Sequence, residues 1–320
     1  MKRRLLAVIA VASLAIVPAG LGGQATSRWT PPRTPWGDPD LQGVYTNSNE
    51  YATPLERPKA LDGRRLEDIK GEELAKVRQE ATQQAIAGLL GGQVRGPDEW
   101  WLQNLDLAQR NQPWLIVDPP DGHVPALTPE AKTRLQGVRT RSSFVGGPFN
   151  GPEDLGMLER CISRGVPGSM IPVMYGNNYQ IVQAPGYVVV TYEIIHEARV
   201  IPLDGRPHIG PGIRAHMGDA RGRWEGTTLV VETTNITTAS AYRNANAETF
   251  RVTERFRPVA PGRIEWTATL EDPKTWTKPW TIAMPLTADP QPILAFDCHE
   301  HNYGLRNILS AARAEERARQ

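Results

Sequence analysis

In one stretch of the chain Phe250, Val252, Glu254 and Phe256 occupy every second position, with Thr249, Arg251, Thr253, Arg255 and Arg257 between them. After Ala260-Pro261-Gly262 the pattern resumes: Ile264, Trp266, Ala268 and Leu270 alternate with Arg263, Glu265, Thr267 and Thr269. A period of two is the mark of a strand with one buried face. The apolar faces of both strands should point inward, and that places a carboxylate, Glu254, on the inward side.

Similar short runs fill most of the second half. Tyr179–Gln183, Tyr187–Leu203 (long enough to bend), Thr228–Thr234, Thr281–Leu286 and Ile293–Cys298 read as strands. Turn signals at Ala184-Pro185-Gly186, Leu203-Asp204-Gly205 and Asp289-Pro290 separate several of them. Such spacing predicts an antiparallel meander that closes into a barrel or folds as a sandwich. Leu41–Thr46 brings the count to about eight strands, which suits a small closed barrel.

The first half has a different character. Residues 28–39 are rich in Pro and Trp and read as an extended arm held to the body by Trp29 and Trp36. Leu66 to Leu90 reads as a helix stopped by Gly91-Gly92, and Asp98 to Arg110 as a second. Leu115–Val117 is a short strand before a turn cluster. Thr128-Pro129 and Pro152-Glu153-Asp154 each start a further helix, the latter carrying Cys161. Residues 302–320 close the chain as a polar helix. The organisation expected is a signal peptide over 1–25, an arm, first strand and helical segment over 26–172, a barrel meander over 173–301, and a C-terminal helix over 302–320.

The signal is read from Lys2-Arg3-Arg4, the apolar run Leu5 to Ala19, and small residues up to Ala25. It is shorter than a membrane span and broken by Pro18, so the mature chain should carry no integral membrane segment and be periplasmic or secreted. Losing Lys2, Arg3 and Arg4 turns the formal charge from +1 to about −2. That balance offers no footprint for nucleic acid. Cys161 and Cys298 are the two cysteines. An even count in an exported chain favours a disulfide over free buried thiols.

Four groups could carry chemistry. Glu254, between Val252 and Phe256, would lose hydration and its pKa should rise, as in a general acid or base; the alternative is a structural pair with an arginine. In Ile195-His196-Glu197-Ala198-Arg199, His196 could shuttle protons, or be a core histidine. In an unbroken strand it would share a face with Tyr192, Ile194 and Val200, opposite Glu193, Glu197 and Arg199. The Gly/Pro-rich segment from His208 through Arg214 and His216 to Asp219 has the make-up of a working loop at a barrel mouth, or of a cap. Arg221 to Gly226 reads as a hairpin turn. His299 and His301 flank Glu300, and with His208 they offer a weak metal alternative. The zinc-protease spacing is absent, as are the nucleophile elbow, the phosphate loop and the dinucleotide fingerprint, so no cofactor is expected.

Pro35-Trp36-Gly37-Asp38-Pro39-Asp40-Leu41-Gln42-Gly43, Met217-Gly218-Asp219 through Arg223-Trp224-Glu225-Gly226 to Thr233-Thr234-Asn235, and Cys298-His299-Glu300 with Asn302-Tyr303-Gly304 together resemble a family of uncharacterised exported bacterial proteins. Gly43-Val44-Tyr45 is similar to the Gly-x-Trp start of lipocalin-type barrels, with Tyr in place of Trp. The fold expected is therefore mainly β: an up-and-down, lipocalin-like barrel with an N-terminal helical or irregular segment and a C-terminal helix. Nine tryptophans suit a small apolar or aromatic ligand. The function expected is acid–base catalysis by a lyase, isomerase or hydrolase, with Glu254 and His196 as the proton-transfer pair and Arg199 or Arg214, beside His216 and Asp219, stabilising charge. A non-catalytic carrier or sensor and a histidine-site metal hydrolase are the alternatives. Oligomeric state is left open.

Overall fold

Ten strands among the described residues join in one sheet: β1 (Gly43–Thr46), β2 (Ile116–Asp118), β3 (Asn178–Ala184), β4 (Tyr187–Tyr192), β5 (Ala198–Pro202), β6 (Asp219–Glu225), β7 (Thr228–Thr234), β8 (Arg251–Ala260), β9 (Arg263–Glu271) and β10 (Trp280–Ala288). The computed structural model describes residues 29–51, 53–90, 112–139, 141, 147–173, 175–300 and 302–320. The expected signal segment and the helix over Asp98 to Arg110 lie outside them. Residues 31–320 are one folding unit, and Trp29 belongs to the separate leading unit.

The strand order is β5-β4-β3-β1-β10-β9-β8-β7-β6, with β2 beside β10, and each pairing is antiparallel. This is an up-and-down meander wrapped so that the first strand meets the last. Eight antiparallel steps separate β5 from β6, so these two run in the same direction. A hairpin cannot join parallel neighbours. The chain uses residues 203–218 to return from the end of β5 to the start of β6. The two strands lie alongside without a shared hydrogen-bonded ladder, leaving the barrel nearly closed. At this seam a Cβ on Gly222 would come within 2.7 Å of Ile201 Cγ2 and 2.6 Å of Leu203 Cδ2, so only glycine lets β6 lie this close to β5.

The alternation in β8 and β9 packs as expected. Val252, Glu254 and Phe256 point inward with Ile264, Trp266, Ala268 and Leu270, in register Glu254 opposite Ala268 and Phe256 opposite Trp266. Trp280, Ile282, Met284 and Leu286 of β10 and Tyr179, Ile181, Val188, Val190 and Tyr192 of β3 and β4 complete the same buried cluster. Outside, Arg251, Arg255 and Arg257 pair with Glu232, Glu225 and Glu265 at 3.1, 2.7 and 2.5 Å. Exposed pairs of this kind contribute ~0–1 kcal/mol each.

Three α-helices lie among the described residues. α1 spans Gly71–Leu90, with the expected start at Leu66 forming a separate 3-10 turn over Leu66–Asp68. α2 (Pro129–Arg134) begins as its sequence predicts: Thr128 Oγ1 accepts from the Ala131 N–H at 3.0 Å with Pro at the first position. α3 (Tyr303–Ala318) is capped by Asn302, whose side chain accepts from Leu305 N–H. Among the described residues no helix is long and apolar enough to cross a membrane.

Several expectations are corrected. The arm is not extended: Arg33 bridges Pro39 across a tight turn, and Trp36 is exposed rather than packed. Gln183 ties this turn down, donating to Pro39 O and accepting from Leu41 N–H. The helix expected at Pro152 is a single 3-10 turn, and Cys161 has φ +56°, a left-handed conformation no helix accommodates. Ile293–Cys298 is not a strand; both long edges of β10 are already occupied, by β9 on one side and by β1 and β2 on the other. Arg221 to Glu225 lies in β6, and the turn is confined to the residues between it and β7. Cys161 and Cys298 are joined as a disulfide, S–S 1.96 Å, which ties the segment before β3 to the segment after β10. α3 reinforces this tie: Arg313 donates to Phe149 O and Asn150 O at 2.8 and 2.9 Å.

Candidate functional site

The run from Tyr187 to Leu203 is two strands with a break between them. In the break Ile195 and His196 take φ of +65° and +55°, and a single turn uses up residues 193–197. Inward positions are even in β4 (188, 190, 192) and odd in β5 (199, 201). The face assignment of an unbroken strand is therefore inverted: Arg199 is 3% exposed and Val200 56%.

Inversion sends Arg199 into the barrel, where it meets Glu254. The fork is bidentate, Nη1 to Oε2 at 2.5 Å and Nη2 to Oε1 at 3.1 Å. Trp266 Nε1 donates to the same carboxylate at 3.1 Å. Burial acts to lower the Arg199 pKa, but the Glu254 charge and hydrogen bond outweigh it and leave it raised. The Tyr192 hydroxyl beside them is buried without a partner, and burial pushes its pKa up. His196 does not join this group. It is exposed, and its Nε2 accepts from the Phe296 N–H at 3.0 Å. The structure thus brings Arg199 to Glu254, and gives His196 a different partner.

His208 and Asp219 brace the long return segment. His208 Nδ1 lies 2.8 Å from Asp219 Oδ2 and its Nε2 3.2 Å from Glu232 Oε1. Arg221 reaches Asp219 Oδ1 at 2.6 Å, and the Ile209 N–H reaches Oδ2 at 3.0 Å. Burial works against the Asp219 charge, but these donors hold its pKa low. Arg214 donates to Ala247 O and lines a surface cavity of about 380 Å³ with Thr234, Asn235, Phe250 and Arg251. His299 is exposed, and His301 lies outside the described residues, among which no three His, Cys, Asp or Glu side chains are grouped to hold a metal.

His216 is the histidine placed among reactive groups. The segment leading into β3, the β4–β5 break, the approach to β6 and the exit from β7 all belong to one end of the barrel by strand direction. They bring Ser163 and Arg164, Glu197, His216, and Thr237 and Ser240 together. His216 Nδ1 is 2.8 Å from Ser240 Oγ and 3.2 Å from Thr237 Oγ1, and Thr237 Oγ1 donates to Ser240 Oγ at 3.1 Å. Ser240 is buried; His216 is half-buried.

Two glycines permit the approach. At Gly165, φ +62°, a Cβ would lie 2.8 Å from Ser240 O; at Gly218, φ +68°, one would lie 2.5 Å from Thr234 O.

Glu197 is the carboxylate of the cluster. Burial raises its pKa, against the lowering effects of the Ser163 hydroxyl, the Arg164 N–H (3.4 Å to Oε2), His216 and Arg164. Chemically this is a hydroxyl relay ending on an imidazole, beside a carboxyl whose proton is held more tightly than usual. Met157 and Met217 lie against the hydroxyls of Ser240, Ser163 and Ser169. Ser163, Arg164, Thr237 and Ser240 escape sequence reasoning. The run Thr237-Thr238-Ala239-Ser240 just past a strand is the signal for two of them; Ser163 and Arg164 carry none.

No protein-family model matches this chain, and neither a curated protein nor a solved structure does.

Proposed function

We propose that this protein is an exported small-molecule-binding barrel that performs acid–base chemistry, as a lyase, isomerase or hydrolase, on an apolar or aromatic substrate. The working groups are His216, Ser240 and Glu197 at the end of the barrel, not the pair inside it. One observation carries the reading: the Ser240 hydroxyl lies 2.8 Å from His216 Nδ1, beside Glu197, whose pKa burial raises. In the tautomer with its proton on Nε2, His216 accepts the Ser240 proton. Glu197 is the proton donor, since a raised carboxyl pKa keeps more of the acid form near neutrality. Arg199 and Glu254 grip each other through both Nη atoms within the core, which leaves the pair a structural part in this scheme. Export is supported by the Cys161–Cys298 disulfide and the charged-then-apolar start of the chain.

The test uses two probe reactions: release of 4-nitrophenol from 4-nitrophenyl acetate, and exchange of the α-protons of acetophenone for deuterium. Wild-type protein should accelerate at least one. His216→Asn should reduce that rate ~100-fold or more, the usual worth of a positioned general base. Unchanged turnover in His216→Asn, or acetophenone binding with no reaction of either probe, contradicts the proposal; the second result describes a carrier.

A further inference from the structure

The surface cavity lined by Arg214 opens where β7 ends, β8 begins and β9 ends. At about 380 Å³ it falls at the small end of the ~300–1,000 Å³ range of ligand clefts. His216, Ser240 and Glu197 do not line it. Its neutral polar groups are already committed. Thr234 Oγ1 donates to Asn235 Oδ1 at 3.1 Å, and Thr249 Oγ1 to the buried Asp272 at 2.5 Å. The Asn235 amide donates to the carbonyls of Ile209, Gly210 and Ile213. An uncharged, hydroxyl-rich ligand would find few free donors there.

Two of the four lining charges are committed as well. Glu248 meets Lys274 at 3.1 Å. Arg251 lies opposite Glu271 in the β8–β9 register but turns the other way, to β7, where its Nη1 is 3.1 Å from Glu232 Oε2. Glu271 is thereby left exposed, with no side-chain partner among the described residues. Arg214, half-buried, has Nη1 on the Ala247 carbonyl and no carboxylate partner among the described residues. That one bond holds the guanidinium in place and leaves its other N–H groups open. The cavity therefore offers one uncommitted cation and one uncommitted anion.

We infer that this cavity is a second binding site, for a small zwitterion of the amino-acid or dipeptide kind, with the ligand carboxylate on Arg214 and its ammonium on Glu271. A guanidinium takes a carboxylate through two parallel N–H bonds. An ammonium brings three donors to a carboxylate that can only accept. A simple anion would leave Glu271 without a counter-charge, and a simple cation would leave Arg214 without one. The exposed rings of Pro211 and Pro273 supply apolar wall for a side chain. The site does not depend on the chemistry around His216.

The test is calorimetric binding of L-leucine and of L-leucyl-L-leucine to the full oxidised chain, each probe also in N-acetylated and in C-amidated form. Wild-type protein should bind at least one free zwitterion, with acetylation and amidation each weakening it at least tenfold; the tighter of the two names the source of the ligand. Glu271→Gln should erase the loss caused by acetylation, and Arg214→Gln the loss caused by amidation, with circular dichroism confirming the fold. Glu271 has no side-chain partner to lose, so its variant keeps the test open should Arg214→Gln fail to fold. His216→Asn should bind as wild type does. Capped forms that bind wild-type protein as tightly as the free zwitterions overturn the inference, as does a preference that survives in Glu271→Gln or a loss of binding in His216→Asn. Binding of none of the probes at millimolar concentration overturns it too, and leaves the site around His216 to be judged by its own two probe reactions.

Discussion

Arg199 and Glu254 grip each other through two bonds, 2.5 and 3.1 Å, inside the barrel, on β5 and β8. Neither has water to fall back on: Arg199 is 3% exposed and Glu254 0%. Truncating either partner strands a buried charge. Arg199→Ala or Glu254→Ala should therefore lose ~3–5 kcal/mol of unfolding free energy in urea titrations. The double replacement Arg199→Met with Glu254→Leu should recover most of that loss, because it removes both charges together. A double variant as unstable as the singles would show that the pair is not an isolated couple.

The parallel seam makes a second prediction. Gly222→Val introduces a branched side chain where a Cβ alone would lie 2.6 Å from Leu203 Cδ2. Overpacking of this kind costs ~1–3 kcal/mol, and the loss should appear as a lower denaturation midpoint. Gly226→Ala serves as the comparison: its φ of +63° strains any side chain, but nothing crowds the added atom. The seam account requires the larger loss at Gly222.

Reduction of the Cys161–Cys298 bridge tests a third point. It spans 137 residues, and removing such a link should cost roughly 2–5 kcal/mol. The bridge also anchors the segment holding Ser163 and Arg164. Cys161→Ser with Cys298→Ser should thus lower both the melting temperature and the rate of the probe reactions. A variant that melts lower yet works as well as wild type would separate the bridge from the site.

Glu197 gives a pH signature. Its folded-state pKa is raised above the ordinary 4.5, first by burial. Below 4.5 it is protonated in both states and contributes nothing. As pH rises past that value the unfolded chain ionises first, which destabilises the fold until the folded-state pKa is passed. Glu197→Gln lacks this penalty. The stability of the variant relative to wild type should grow as pH rises from about 4.5 towards the raised folded value, then level off. Denaturation midpoints measured across that window would show it; a flat difference would mean that the folded pKa is not raised.

Much of the fold was legible because alternation is a local property. Phe250 to Leu270 states its own inward face, and Thr128-Pro129 states its own cap. The cysteine pair was legible from count alone. What could not be read was anything that hinged on parity between strands. The left-handed turn at Ile195 and His196 switches the inward set, exchanging Arg199 for Val200, and no periodicity announces it. Glu254 was found as an inward carboxylate, but its partner stayed hidden behind that turn. His216 and Glu197 were visible as residue types; the hydroxyls of Ser240 and Ser163 come from loops that only the strand order brings together.

Which carboxylate works is the central question, and one comparison answers it most directly. Glu197→Gln and Glu254→Gln are assayed side by side in whichever probe reaction the wild-type protein accelerates, with rates normalised to folded protein. Glu197→Gln should lose ~100-fold or more, while Glu254→Gln should stay within a few-fold of wild type because its part is structural. The opposite pattern, with activity lost on changing Glu254 and kept on changing Glu197, would contradict the account and move the chemistry into the barrel interior.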